Sequence, residues 1–403
     1  METIVENVVE KEHLQRWRAL WSDVYGHSGP PRDPALHLAG WTSSYTGLPI
    51  REAEMKEWVE RTVERLLEPA PRRVLEIGCG TGMLLLRVAR RSTAVIAVTA
   101  TDFSPEALAY LRGRLDAEGL SHVTLLQRSA DDFTGLDGAA FDLVVLNSVV
   151  QYFPGLDYLL RVLAGAVAAA APGGRIFLGD LRSLPLLAAF HASVQLQQAD
   201  AATPLDELRE RVRTAVEQER ELALDPALFA ALPGALPGKL PGVDRVEVQL
   251  KRGRARNELT RFRYDAILHL VGGPAAGPEP ERWLEGDDPE AAPAALRRRL
   301  AAEAPAVLGV RRVPNARLAA EVEALRLLRE DGTLRTAGDL QAALRRAHPP
   351  GVEPEDFWSL ERDLPYRVEI RWAEDGARGA YDVLLRHTTK TCPGSPEEGA
   401  PRR

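Results

Sequence analysis

The sequence predicts an α/β fold: a mainly parallel sheet with helices on both faces, preceded by a helical cap and followed by an appended α/β lobe. Three observations predict it. From Arg73 onward, short apolar runs alternate with helical stretches, the pattern of strands buried beneath helices. The run Gly78-Cys79-Gly80-Thr81-Gly82 joins the first apolar run to the first of those helices. Further on, residues 246–251 and 261–270 alternate apolar and polar side chains, as an antiparallel pair at the sheet edge would.

In chain order, residues 9–24 place Leu14, Trp17, Leu20 and Trp21 on one helical face, and the glycines and prolines of 26–34 break that helix. A second helix over 51–67 buries Met55, Trp58, Val59, Val63, Leu66 and Leu67 and stops at Pro69 and Pro71. These two helices form the cap, residues 1–68. Strands are expected at 74–77, 95–101, 123–127, 143–147 and 175–179, with helices starting near Gly82, Ser104 and Gly155. A helical stretch over 188–220, a Pro/Gly-rich segment over 232–242 and the antiparallel pair complete the core, 69–272. Beyond a linker at 272–280, helices at 291–302, 316–329 and 337–347 and strands at 366–372 and 381–386 make up the appended lobe, 273–390. Residues 391–403 read as a flexible tail.

Composition narrows the function. The 403-residue chain carries a formal charge of -7, so it lacks the basic surface that nucleic acid requires as a partner. Its two cysteines, Cys79 and Cys392, form neither a disulfide framework nor a zinc motif, and a cytoplasmic location is expected. Glu6, Glu10, Lys11, Glu12, Arg16 and Arg18 interrupt the N-terminus, which excludes the apolar segment of a signal peptide. The alanine-rich run 163–171 is too short to span a bilayer, so no membrane partner is expected.

Four elements in order suggest a cofactor site. Gly78, Gly80 and Gly82 follow a strand and open a helix, which lets the backbone turn tightly and approach a ligand. The same turn can hold the pyrophosphate of NAD, so it leaves an oxidoreductase open. Glu76, just before the turn, suits the cationic methionine end of S-adenosylmethionine (SAM). Asp102, beside Phe103 at the end of the second strand, is placed to accept from ribose hydroxyls. Asp131, after Ala130 at the end of the third, is placed to accept from an adenine amino group. Asn147 and Ser148 end the apolar run 141–146, where ligands of such sheets bind. Each acid alone is equally a solvated loop carboxylate; their order is what favours SAM. No metal is expected.

The chain resembles the methyltransferase domains embedded in nonribosomal peptide synthetases and polyketide synthases, from about Trp41 to Arg386. The resemblance rests on Gly40-Trp41-Thr42-Ser43-Ser44-Tyr45-Thr46-Gly47, Asn147-Ser148-Val149-Val150-Gln151-Tyr152-Phe153-Pro154, Gly179-Asp180-Leu181-Arg182-Ser183, Phe190-His191-Ala192-Ser193 and Asn257-Glu258-Leu259-Thr260-Arg261. It implies a Rossmann-like class I methyltransferase core that converts SAM to S-adenosylhomocysteine, with Tyr45 among the cofactor-binding residues. It also implies a small-molecule or carrier-tethered acceptor and an acyl or peptidyl carrier protein as partner. With no recognisable adenylation, ketosynthase or carrier segment, the chain resembles such a domain set free, either a stand-alone tailoring enzyme or a piece excised from a larger synthase.

His191 is the expected general base, since imidazole is suited to take a proton near neutral pH. The resemblance implies that Glu258 orients it through the other ring nitrogen. Residues alone leave alternatives: His191 packed beside Phe190 and Val194, and Glu258 paired with Arg254, Arg256 or Arg261. Tyr152 and Asn257 are expected in the acceptor pocket. A base favours methyl transfer to a hydroxyl or carboxyl oxygen of a polyketide or peptide intermediate. N-methylation of an aminoacyl or peptidyl amine is the alternative, and a non-catalytic SAM-binding partner of a synthetase is another.

Overall fold

The computed structural model describes residues 2–29, 31–91, 93–136, 138, 140–235, 240–373 and 379–389, so the expected tail over 391–403 lies outside the described residues. The chain opens with α1 (Glu2–His27) and α2 (Glu52–Leu67). An alternating region follows: β1 (Arg73–Ile77), α3 (Leu85–Arg91), β2 (Ala97–Asp102), α4 (Pro105–Glu118), β3 (Val123–Gln127), β4 (Phe141–Asn147), α5 (Leu156–Ala169) and β5 (Ala170–Ser183). Next come α6 (Leu187–Gln198), α7 (Leu205–Glu217), the two-residue β6 (Ala223–Leu224), α8 (Pro226–Ala235), β7 (Val243–Leu250), α9 (Glu258–Phe262) and β8 (Arg263–Leu270). The last third holds β9 (Trp283–Glu285), α10 (Pro293–Glu303), β10 (Val307–Val313), α11 (Ala319–Glu330), α12 (Ala337–Ala347), α13 (Pro354–Trp358), β11 (Tyr366–Trp372) and β12 (Tyr381–His387).

All strands join one sheet in the order β3-β2-β1-β4-β5-β8-β7-β11-β12-β10-β9, with β6 beside β5. From β3 to β5 the strands are parallel; β8 and β7 then add antiparallel, Leu178 facing Ala266 and Val248 facing Ala266 from the other side. The expected antiparallel pair forms, but not at an edge. Gln249 pairs with Arg371 of β11, which carries the sheet on into the last third of the chain.

Packing follows from what each strand buries. One face of the sheet packs Leu75, Val144, Ile176 and Leu268 under α5, the other packs Val74, Val98, Leu143 and Phe177 against α2, α3 and α4. β10, β11 and β12 hold their own core around Val310, Ile370, Tyr381 and Phe357. Residues 188–220 are not one helix: Thr203 and Pro204 separate α6 from α7, and both pack against α11 and α12 through Leu196, Leu208, Leu328 and Leu340. Of the face predicted for α1, Leu20 points outward and is 49% exposed, because α1 lies on the protein through a narrower stripe. No helix among the described residues is long and apolar enough to cross a membrane.

Candidate active site

Strand order reverses between β1 and β4, since β2 and β3 lie on one side and β5 on the other. The carboxyl ends of such neighbours leave a crevice where ligands bind. Here it is a cavity of ≈ 1040 Å³, walled by the turn after β1, the ends of β2, β4 and β5, and side chains of α6, with α1 across it.

The turn after β1 requires its glycines. Gly78 and Gly82 have φ of 74° and 84°, and a Cβ would stand 2.4 Å from Val149 at the first and 2.5 Å from Leu111 at the second. Gly78 thus keeps β1 and the loop after β4 close together, whereas Gly82 packs behind the turn on α4 and is not part of the cavity wall. Asp102 ties the turn to β2: its Oδ2 accepts from Gly80 N–H at 2.8 Å and its Oδ1 from Ser104 N–H at 2.8 Å. Burial pushes the Asp102 carboxyl up, and those amide hydrogen bonds pull against it. Glu76 is 6% exposed, and burial, with the Asp102 charge nearby, pushes its carboxyl up to about 8. A buried acid in that state suits a cationic ligand, which would supply the missing counter-charge.

Phe103, Ala130, Asn147 and Ser148 line the same cavity. Ser148 sits at φ 57°, with its N–H on Gly179 O at 3.1 Å and its hydroxyl donated to Asp180 at 2.8 Å. Like Gly82, two further residues expected at the cofactor lie outside this wall. Asp131 lies behind the wall, accepting from the Tyr158 hydroxyl at 2.9 Å, and Asp132 is the lining acid of that loop. Tyr45 turns its hydroxyl to Ser193 at 2.7 Å, leaving Ser44 in the wall.

The acceptor half is polar. His191 lies in the wall, but the carboxylate against it is Glu219, 3.1 Å from Nε2. Glu219 is fully occupied: Arg182 donates to the same oxygen at 2.7 Å, and the Arg220 and Glu221 N–H groups donate to the other at 2.9 and 3.0 Å. Burial opposes its charge, yet the His191 hydrogen bond and the Arg182 guanidinium hold the Glu219 carboxyl down at about 2. The expected His191–Glu258 contact is absent. Glu258 begins α9 rather than a strand, lines the cavity, and accepts from Ser44 N–H at 2.9 Å and its hydroxyl at 2.8 Å. Nor does it meet the arginines of its own segment, which pair with Asp356, Glu353 and Glu321. Asn257 lies outside the cavity wall, where its side chain caps α9 by accepting from Leu259 and Thr260 N–H and donates to Glu54.

Tyr152 is in the wall as expected, with Trp17 and Trp21 of α1 packed on it at centroid distances of 4.5 and 5.6 Å. Its neighbours Arg182, Arg263, Glu219 and Glu221 were not read from the sequence. Arg263 donates to buried Asp180 at 2.5 Å, and that charge, with Lys251, outweighs burial and keeps the Asp180 carboxyl low. One signal was available: Asp180 and Arg182 interrupt an apolar strand at its carboxyl end. Among the described residues no group of three or more His, Cys, Asp or Glu is arranged to hold a metal.

Residues 75–176 match the family described as methyltransferase domain. The chain is 46% identical over 383 residues to the chondramide synthase cmdD of Chondromyces crocatus, covering 93% of this chain and 10% of that protein. It is 37% identical over 376 residues to the probable non-canonical nonribosomal peptide synthetase CymA of Salinispora arenicola, covering 93% of this chain and 4% of that one. The chain therefore spans a tenth or less of the length of these two relatives. Among solved structures, N-methyltransferase NodS from Bradyrhizobium japonicum WM9 in complex with S-adenosyl-L-homocysteine aligns at TM-score 0.37 and 18% identity, over 53% of this chain and 86% of that one.

Proposed function

We propose that this chain, a class I SAM-dependent methyltransferase resembling domains of nonribosomal peptide synthetases, methylates the amino nitrogen of an aminoacyl or peptidyl unit held on a carrier protein. The observation that carries this is the likeness over 93% of the chain to segments of peptide-building synthetases. The acceptor half of the cavity supports it, since Glu221 and Glu258 line that half and suit a group bearing N–H donors.

SAM supplies a methyl group already activated on a sulfonium. Glu76 would face its amino end and Asp102 its ribose, with the backbone of Gly78 and Gly80 close beside it. What is left to the protein is to hold the acceptor in line, keep water out and manage one proton. The amine must arrive neutral; its lone pair forms the C–N bond as the C–S bond breaks, giving S-adenosylhomocysteine and a substituted ammonium that then sheds a proton. His191, held through Nε2 by Glu219, has Nδ1 left to take it.

The same 3.1 Å contact favours a second assignment, transfer to a hydroxyl or carboxyl oxygen with His191 as base. His191→Ala separates the two when aminoacyl and hydroxyacyl thioesters are assayed with labelled SAM. With an amine acceptor, turnover falls at neutral pH and recovers as pH passes the acceptor's own pKa. With a hydroxyl acceptor, the loss of about 10²–10⁴-fold persists across the pH range. Undiminished turnover at neutral pH would remove His191 from the chemistry, and a wild-type protein that binds SAM without turning over any acceptor would leave only a non-catalytic role.

A further inference from the structure

Two side chains in the acceptor half are buried with an unused hydrogen-bonding atom. Gln151 and Ser183 are each 3% exposed and both line the cavity. Gln151 Oε1 and Ser183 Oγ have no hydrogen-bond partner, although nearly every buried polar atom in a folded protein finds one. Their positions are fixed from behind. Asn147 and Gly179 are partners across β4 and β5; Gln151 lies four residues past the end of β4, in the short turn Val150–Tyr152, and Ser183 is the last residue of β5. The Gln151 carbonyl accepts from Leu222 N–H at 2.7 Å, and Ser183 pairs with Leu224. Two residues of one short segment therefore anchor both backbones.

We propose that Gln151 and Ser183 are the residues that position the acyl unit of the acceptor: Gln151 Oε1 accepts the N–H of the reacting amine, and Ser183 Oγ donates to the acyl carbonyl. The assignment rests on the amine acceptor proposed above, but its core, a polar clamp on an α-substituted acyl thioester, does not need nitrogen. An amide oxygen accepts but cannot remove a proton, so Gln151 orients the nucleophile and leaves proton transfer to His191. A site built to hydrogen-bond its substrate discriminates strongly, because an acceptor lacking the matching donor leaves the buried oxygen unpaired.

The test is calorimetric binding and steady-state kinetics on the full chain, using N-acetylcysteamine thioesters of small, branched and aromatic α-amino acids and of their α-hydroxy counterparts. Gln151→Met keeps the volume and removes the acceptor; it is expected to raise KM and Kd for the thioester at least about tenfold while SAM affinity holds within about twofold. Ser183→Ala, a smaller change that guards against a misfolded first variant, is expected to act the same way, and Gln151→Asn to recover little. If the wild type turns over only the hydroxy series, the amine acceptor fails and the clamp is still judged by KM in that series. Unchanged KM and Kd in both variants overturn the clamp, as does absence of binding of every thioester to the wild type.

Discussion

Glu76 is a buried acid at the cofactor end, with the Asp102 charge nearby. Its folded-state pKa of about 8 stands above the ordinary carboxylate value, so between about pH 4.5 and 8 the unfolded chain holds fewer protons than the folded one. For a raised acid that sign means stability falls as pH rises through this window. Glu76→Gln should therefore melt at the same temperature as wild type near pH 4.5 and at a higher one near pH 8, both measured without SAM. Bound SAM reverses the advantage. Its cation makes the carboxylate the favoured form, so binding at pH 7 should release close to one proton in the wild type and none in the variant. Titration calorimetry in two buffers of different ionisation enthalpy reads this directly, and identical enthalpies in the wild type would show that Glu76 does not meet the cation. At this scale the sequence was legible where strand ends set position, as for Glu76, Asp102, Asn147 and Ser148. It was not legible where a fold-back decides between acids: Glu219 is 28 positions from His191, and nothing in their spacing selects it over Glu258.

At the scale of elements, α1 covers the cavity through half-buried and exposed side chains. None of its described side chains is fully buried, yet Lys11, Leu14, Trp17, Trp21 and Tyr25 line the cavity. Few buried contacts mean a low cost of local opening. The tilted packing of Trp17 on Tyr152 can be removed by one substitution, and an aromatic pair is worth about 0.5–1.5 kcal/mol. Trp17→Ala should weaken SAM binding about two- to tenfold, and saturating SAM should slow proteolysis between α1 and α2 in the wild type more than in the variant. Equal cleavage with and without SAM would mean that α1 does not close over the cofactor. Strands were readable where an apolar run or a regular alternation marks them, and 123–127 and the alternating 366–372 match to the residue. β10 was missed for a physical reason. Its register shifts between Val310 and Val313, Arg312 adopts φ 56°, and Arg311 and Arg312 are both exposed, so the alternation that marks a strand is broken mid-strand. β9, three residues long, offers no period at all.

Across the whole molecule, the last third is fastened to the site rather than hung beside it. Arg317 has a fully buried side chain that donates to Lys251 O at 2.7 Å, Gly253 O at 2.6 Å and Glu353 at 2.6 Å. Lys251 in turn is paired at 2.8 Å with Asp265, which also receives Arg65 and the Asp180 N–H, and Asp180 holds Arg263 in the cavity wall. One buried network thus runs from the segment before α11 to the acceptor pocket, and α11 packs on α6, the helix that carries His191. Removing one member of a buried charged set leaves its partners unpaired, at a cost of about 3–5 kcal/mol. Arg317→Ala should lose stability on that order in chemical denaturation, and Arg317→Lys should regain little, because one ammonium cannot reach two carbonyls and a carboxylate in the fork that guanidinium provides. The site consequence is asymmetric. The glycine turn, Glu76 and Asp102 belong to β1 and β2, two and three strands from β5 where the network ends at Asp180, so SAM affinity should survive in Arg317→Ala below its unfolding transition while KM for the acceptor rises. Loss of SAM binding in parallel with acceptor binding would show instead that the two halves of the cavity share one support.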